Sequence, residues 1–348
     1  MARQHPAHLE EIMDLLINTY GTRIRSTGER IVLAFPNSKR KQEYAARRIE
    51  KIIILRPSSI STGAVQLALE YNIDIVYLSS FGQPVGRIFP SHPKGITELR
   101  RAQLAAASSP QAFAIAKQLV NGKAANQIAY LKYLQRLTEQ DLSKEITQAE
   151  TLHASLAIII NKPPGREQLF GIEGFIADRY FAALKKLFRF PSRQPRGRDK
   201  FNSTLNYGYG ILYNEVERAC LYVGLDPYLG LYHSERYGKP SLVLDLVEEF
   251  RVPLIDSTVF PLFLNKTMSS PANFTRQAPG AYRLSTEGKR KVVLAVYTRL
   301  NQTVRWEGQH QSVKAVIKHQ VSTLAHVFLQ KRKAYQPFTF EAVMRHHE

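Results

Sequence analysis

Two carboxylates and an imidazole stand in this chain where the pattern calls for apolar side chains or plain loop residues. Glu173 lies at helical spacing with Phe170, Ala177, Tyr180 and Leu184, inside the run Leu169-Phe-Gly-Ile-Glu-Gly-Phe-Ile-Ala-Asp-Arg-Tyr-Phe181. Glu248 shares a face with Leu244 in Ser241-Leu-Val-Leu-Asp-Leu-Val-Glu-Glu-Phe-Arg251, and His233 falls between the two segments. Desolvating an unpaired carboxylate costs several kcal/mol, so its burial calls for a partner. A hard divalent metal is one such partner, and it polarises phosphoryl or carbonyl oxygens. A structural ion pair is the other reading for Glu173, and a lone histidine is as readily an ordinary loop or core residue. Asp245 sits early in its helix, where the helix dipole already favours an acid. Glu248, near the far end, has no such support and is the better ligand. Glu249 is expected to face solvent or to meet a cation.

Helices must hold these groups. From about residue 97 the apolar period is 3.6, with Ser109-Pro110 as N-cap and first residue of a helix over much of 110–136. Further helices are expected over roughly 143–160, 166–188, 203–223, 242–250, 254–265, 286–301 and 309–333, with Ser241 a natural N-cap. Residues 13–90 read instead as short strands at Leu15–Tyr20, Arg30–Phe35, Lys51–Leu55, Ile73–Leu78 and Val85–Phe89. Thr27-Gly28 and Phe81-Gly82-Gln-Pro84 mark turns, and one helix, Ser61 to Glu70, interrupts the strands. The expected class is α+β. A small, mostly-β domain over residues 1–92 precedes a larger all-α domain over 93–348, with a hinge near Ser91-His-Pro-Lys-Gly95. The segment Arg189 to Lys200 breaks the helical pattern with five cations against Asp199; it reads as a solvated connector or as an arm on a phosphate backbone.

The net charge of the 348 residues is +19, from 48 Lys and Arg against 29 Asp and Glu. That exceeds what solubility needs and implies a polyanionic partner, nucleic acid first among them. A metal in such a chain would act on a phosphodiester. The chain has no apolar run near 18 residues and no hydrophobic leader at its start, so a membrane span and a secretory signal are not expected. The one cysteine, Cys220, has no intrachain partner, which fits a cytoplasmic protein. His310, His319 and His326 are expected on one helix with Lys314 and Lys318, as surface or DNA-facing residues. P-loop, dinucleotide, zinc-cysteine and serine-hydrolase signatures are all absent.

Four motifs in order carry a family resemblance: Gly171-Ile-Glu-Gly174 with Ala177-Asp-Arg-Tyr-Phe181, Asn202-Ser-Thr-Leu-Asn-Tyr-Gly-Tyr-Gly-Ile-Leu212, Gly224-Leu-Asp-Pro-Tyr-Leu-Gly-Leu-Tyr-His233, and Ser241 to Arg251. Together they resemble CRISPR-associated protein one, the integrase of CRISPR adaptation. Nearly the whole chain is covered, including Leu15 to Pro90 and Gly280 to Gly288. The resemblance implies that Glu173, His233 and Glu248 are catalytic metal ligands, with Asp245 supporting and Asn202 and Tyr207 near the site. It implies Mg²⁺ or Mn²⁺, and the imidazole leans the site toward Mn²⁺. It further implies homodimerisation through the β domain, a small companion adaptation protein, and insertion of short double-stranded DNA into a repeat array. Lys117, Lys123, Arg189, Arg196, Arg198, Lys289, Lys291, Lys314 and Lys318 are the candidate phosphate contacts. Two other functions fit the same residues: a metal nuclease on branched or repair DNA, and a non-catalytic DNA-binding scaffold.

Overall fold

The computed structural model describes residues 13–344 except 37, 80–83, 90–95, 161–164, 189, 191, 196 and 234–237. The chain divides into two compact units, Met1–His92 and Pro93–Glu348. The expected turn at Phe81 to Gln83 and the hinge at 91–95 lie outside the described residues.

The first unit is strand-rich. Its strands are β1 (Met13–Ile17), β2 (Arg23–Thr27), β3 (Arg30–Ala34), β4 (Lys41–Ala45), β5 (Ile49–Ile54), β6 (Ser59–Ile60), β7 (Asp74–Leu78) and β8 (Pro84–Ile88), with helix α1 (Thr62–Glu70) between β6 and β7. They form two four-stranded sheets, ordered β1-β5-β7-β8 and β4-β3-β2-β6. Ile24, Ile31, Ile52, Ile73 and Ile75 are fully buried in its core. The Ser61 hydroxyl caps α1, accepting from Ala64 N at 3.2 Å. Strands β2, β4 and β6 escape the hydrophobic pattern for identifiable reasons. In β2 only Ile24 turns fully inward; β4, Lys41-Gln-Glu-Tyr-Ala45, is a polar edge strand; β6 has two residues.

The second unit is mostly helical: α2 (Ile96–Ala107), α3 (Pro110–Thr138), α4 (Ser143–Ser155), α5 (Gly165–Leu187), α6 (Lys200–Val223), α7 (Ser241–Phe250), α8 (Ser257–Leu264), α9 (Thr286–Asn301), α10 (Val313–Phe328) and α11 (Phe340–Met344). It is not all-α as expected: it also holds two hairpins, β9 (Phe274–Ala278) with β10 (Ala281–Leu284) and β11 (Thr303–Trp306) with β12 (Gln309–Ser312). Glu307 and Gly308, at φ 46° and 81°, turn the second one with both central residues left-handed. The helix expected from 309 therefore starts at Val313, where Ser312 caps Ala315 N at 3.1 Å, and His310 lies on β12. Ser241 is likewise not an N-cap: it is the buried first residue of α7, preceded by Pro240, and no side chain caps this end.

Between α7 and α8 the helix widens to a π-type turn over Arg251–Asp256, where Pro253 has no N–H to give. Asp256 ends this turn buried, accepting the Tyr180 and Tyr209 hydroxyls at 2.7 Å each. Burial pushes its carboxyl up to about 6, against the opposing pull of those hydrogen bonds and of Arg251 and Arg193. A folded pKa above the unfolded one gives stability that is complete below the ordinary carboxyl range and is lost as pH rises through 6. Asp256→Asn should remove that slope. The variant gains on the parent by about 3 kcal/mol between pH 4 and 6 and holds the gain above it. Urea midpoints of both proteins across this range check it; parallel curves would refute the assignment.

Candidate active site

α3 and α5 pack through Ala116, Val120, Ala124 and Ile128 on one side and Leu169 and Ile176 on the other. Small residues on α3 admit α5 closely, and the helical period then turns Lys123 and Glu173 toward each other. Each is partly buried, with 11% and 15% of its side chain exposed, and they form an ion pair through Lys123 Nζ and Glu173 Oε1. The same ammonium lies 2.7 Å from Glu248 Oε2 on α7.

The outer oxygens of both carboxylates are held by other donors. Glu173 Oε2 accepts the Tyr232 hydroxyl, and Glu248 Oε1 pairs with Arg251 Nη2 at 3.0 Å. Arg251 in turn lies 4.9 Å from the centre of the Tyr209 ring. Burial alone would raise the Glu248 carboxyl, but Arg251 and Lys123 outweigh it and hold it at about 2. Burial would also lower the Lys123 ammonium, yet Glu248 and Glu173 keep its pKa above the ordinary value. Burial, then the charge and hydrogen bond of Glu173, push the Tyr232 phenol far up, so it donates throughout the working range of pH.

His233 ends the 225–233 segment, which is anchored from several sides. Buried Gln103 on α2 donates to Asp226 O and Leu229 O and accepts from Asp226 N. Arg166 on α5 donates to Tyr232 O at 2.8 Å. Asp245, fully buried in α7, accepts the backbone N–H groups of Leu231, Tyr232 and His233 at 2.6, 3.1 and 2.8 Å. Gly230 makes this approach possible: a Cβ there would stand 2.6 Å from Ser241 Cβ. Asp245 Oδ1 also lies 2.7 Å from His233 Nδ1. An acceptor so fully engaged assigns the proton to Nδ1 and leaves Nε2 with its lone pair, the carboxylate–histidine arrangement that orients metal-binding imidazoles. Asp245 thus has a more specific task than meeting the helix dipole.

Among the described residues no three His, Cys, Asp or Glu side chains form a metal-binding group. Glu173 and Glu248 do converge, with a cation, Lys123, between their inward oxygens. The donor chemistry fits a hard divalent ion: two carboxylates held ready around one positive charge, and an imidazole oriented through its other nitrogen.

Other expected residues have different tasks. Glu249 is not at the surface: it is fully buried, accepts from Tyr335 Oη, Phe338 N and Gln320 Nε2, and burial raises its carboxyl to about 7. An acid two turns into an apolar helix can be read as exposed, because the donors covering it, on α10 and in the 335–338 segment, are remote in sequence. Asn202 bonds Arg193, Gln194 N, Ser192 O and Asp199. Tyr207 is buried with Lys289 5.8 Å from its ring centre. Lys117 donates to Ala157 O and Ile159 O, and Lys291 pairs with Glu287 and Asn273. Lys314 and Lys318 lie over the Tyr297 and Tyr222 rings at 6.0 and 3.6 Å, and Arg198 is exposed. Arg189 and Arg196 lie outside the described residues. The sequence reading missed Gln103, Arg166 and Tyr232 as positioning groups; only Lys123, a cation within the small-residue stripe of α3, carried a visible signal.

The model of the family described as CRISPR associated protein Cas1 matches residues 15–298. The chain is 32% identical over 337 residues to a CRISPR-associated endonuclease Cas1 of Methanospirillum hungatei, with 94% of this chain and 98% of that one covered. A casposase bound to an integration product matches with a TM-score of 0.80 at 25% identity, over 95% of both chains. A chain of a Cas6-RT-Cas1–Cas2 complex matches with a TM-score of 0.75 at 20% identity, over 94% of this chain and 36% of that one.

Proposed function

The chain belongs to the CRISPR-associated Cas1 family, and from that premise we propose that it is a divalent-metal-dependent DNA integrase of CRISPR adaptation, with Glu173, His233 and Glu248 as metal ligands. The observation that carries this reading is the convergence of Glu173 and Glu248 on one cationic point; the orientation of the His233 imidazole by Asp245 is consistent with it. When bound, Mg²⁺ or Mn²⁺ would polarise the scissile phosphate and lower the pKa of an attacking DNA 3′-hydroxyl. The protein's own groups do the positioning. Tyr232 fixes one oxygen of Glu173, Arg251 fixes one oxygen of Glu248, and Asp245 sets the tautomer and angle of His233. Glu248, held at about 2, is ionised at every pH where DNA is handled.

The casposase bound to an integration product supports strand joining over hydrolysis, and the charge of +19 supports a double-stranded DNA substrate. On the same reading the strand-rich unit forms the homodimer, and a small companion adaptation protein completes the assembly. A duplex with labelled 3′-hydroxyl ends, incubated with Mg²⁺ and a repeat-bearing target, tests the reaction. Joined strands are expected; hydrolysed ends alone would favour the branched-DNA nuclease, and no metal-dependent product would leave only the scaffold. No helix among the described residues is long and apolar enough to cross a membrane.

Gly171 and Gly174 flank Glu173 inside α5, and a Cβ at either position meets nothing within 4 Å. Each costs the helix about 1 kcal/mol relative to alanine, and packing within the chain does not offset that cost. We assign the bare surface to close approach of DNA. Gly174→Ala is expected to raise the melting temperature by a few degrees while weakening duplex binding and strand transfer. A variant that is stabilised and fully active would show that the face is not used.

A further inference from the structure

Each carboxylate of the pair has one oxygen anchored by a fixed protein donor and the other turned to the same ammonium. Glu173 keeps Oε2 on the Tyr232 hydroxyl and gives Oε1 to Lys123; Glu248 keeps Oε1 on Arg251 and gives Oε2 to Lys123. The anchors leave the inward oxygens in place whatever cation lies between them. Lys123 is a different kind of partner from Arg251. Its charge is a point on a flexible four-carbon stem, while the guanidinium is a planar fork held against the Tyr209 and Tyr213 rings. Both side chains reach solvent, Lys123 at 11% and Arg251 at 22% exposure, so the flexible stem and not the exposure sets the lysine apart.

We infer that Lys123 is a stand-in cation that holds the carboxylate pair until a divalent ion displaces it, and that the freed ammonium then binds a phosphate of the DNA substrate. The inference rests on the proposed metal site. A divalent ion and an ammonium cannot share the same two oxygens, because like charges at contact distance repel strongly. Without a stand-in, two anions facing each other in a partly buried site would repel, and one would take up a proton or turn away. Lys123 therefore keeps the site shaped while it is empty of metal. Once displaced it remains tethered within a side chain's length of the carboxylates, where a phosphodiester must lie for the reaction. Metal and DNA then help each other to bind: metal frees the lysine for phosphate, and phosphate draws the lysine off the carboxylates. By linkage the two effects are equal in size.

The test reads Lys123 directly in the wild-type chain, by mass spectrometry after brief treatment with an amine-reactive reagent. Lys123 is expected to be protected in chelator, about fivefold or more reactive in saturating Mg²⁺, and protected again when a duplex with 3′-deoxy ends is added to the Mg²⁺ form. Inorganic phosphate at the same phosphate concentration is expected to leave it reactive. In parallel, Lys123→Met is expected to bind Mn²⁺ about tenfold more tightly than wild type without DNA, and to gain less from the duplex than wild type does. Lysine that stays protected in Mg²⁺, while Mn²⁺ binding depends on Glu248, overturns the stand-in role alone. Equal reactivity with and without duplex, or equal protection by free phosphate, overturns the DNA contact. Mn²⁺ binding unchanged in Glu248→Gln overturns the metal site itself and the inference with it.

Discussion

Glu248→Gln is expected to cut metal-dependent strand transfer by about 10³-fold or more, while duplex DNA is still bound at low salt. The substitution keeps the shape of the side chain and removes one of the two negative charges that face Lys123. A metal held there would contribute several kcal/mol of transition-state charge stabilisation, and each 1.36 kcal/mol is about tenfold in rate. On the proposed function DNA binding would draw on the basic surface, and the variant loses one negative charge, so its affinity should not fall and its salt dependence should persist. Stability should fall as well, since breaking a buried ion pair leaves Lys123 and Arg251 undercompensated, at a cost of about 3 kcal/mol or more. The assay therefore belongs well below the melting temperature, with a melt of each protein beside it. Strand transfer at the wild-type level with Mg²⁺ would sink the ligand assignment. Glu173→Gln should follow the same course, with Tyr232 left donating to a neutral amide oxygen.

Much of this site could be read from the chain because acids in apolar helices are conspicuous. Glu173 and Glu248 stand out against Leu169, Ile176, Leu244 and Val247, and a helical period is enough to see it. What the period does not carry is the identity of the partner across the core. Lys123 was visible as one cation among many, and only the packing of α3 against α5 and α7 reveals that it lies between both acids. The same limit hid Glu249, whose donors come from residues 320, 335 and 338, and placed it wrongly at the surface. Strand reading failed where side chains are polar by design, at the edge strand β4, and where a hairpin turns on Glu307-Gly308 instead of a stronger turn pair. Strands β3, β5, β7 and β8 were legible because runs such as Ile52-Ile-Ile54 leave little else to be.

Glu249→Ala should be the most destabilising single change among the residues around the site, by about 4–6 kcal/mol. Its carboxylate accepts the Tyr335 hydroxyl, the Phe338 backbone N–H and the Gln320 amide, and every one of these groups is buried. Truncation strands three donors, each at about 1–3 kcal/mol, and opens a cavity beside them. The loss approaches the whole stability of a typical domain, about 5–15 kcal/mol, so the variant should unfold at a much lower urea midpoint or fail to accumulate. Glu249→Gln keeps an acceptor for one or two donors and should lose less than half as much. The network does more than fill space. Asn126 on α3 donates to Glu249 O and Phe338 O and accepts from Phe340 N, so the 335–340 segment ties α3 to α7 at the residue next to Glu248. Phe338 seals the junction between the Phe250 and Trp306 rings at 5.6 and 5.1 Å. Fixing Glu249 on its side of α7 fixes the rotation of the helix, and with it the direction in which Glu248 points. Strand transfer by Glu249→Gln should therefore fall further than its folded fraction does. If activity instead follows the folded fraction alone, the network supports the fold and not the aim of the site.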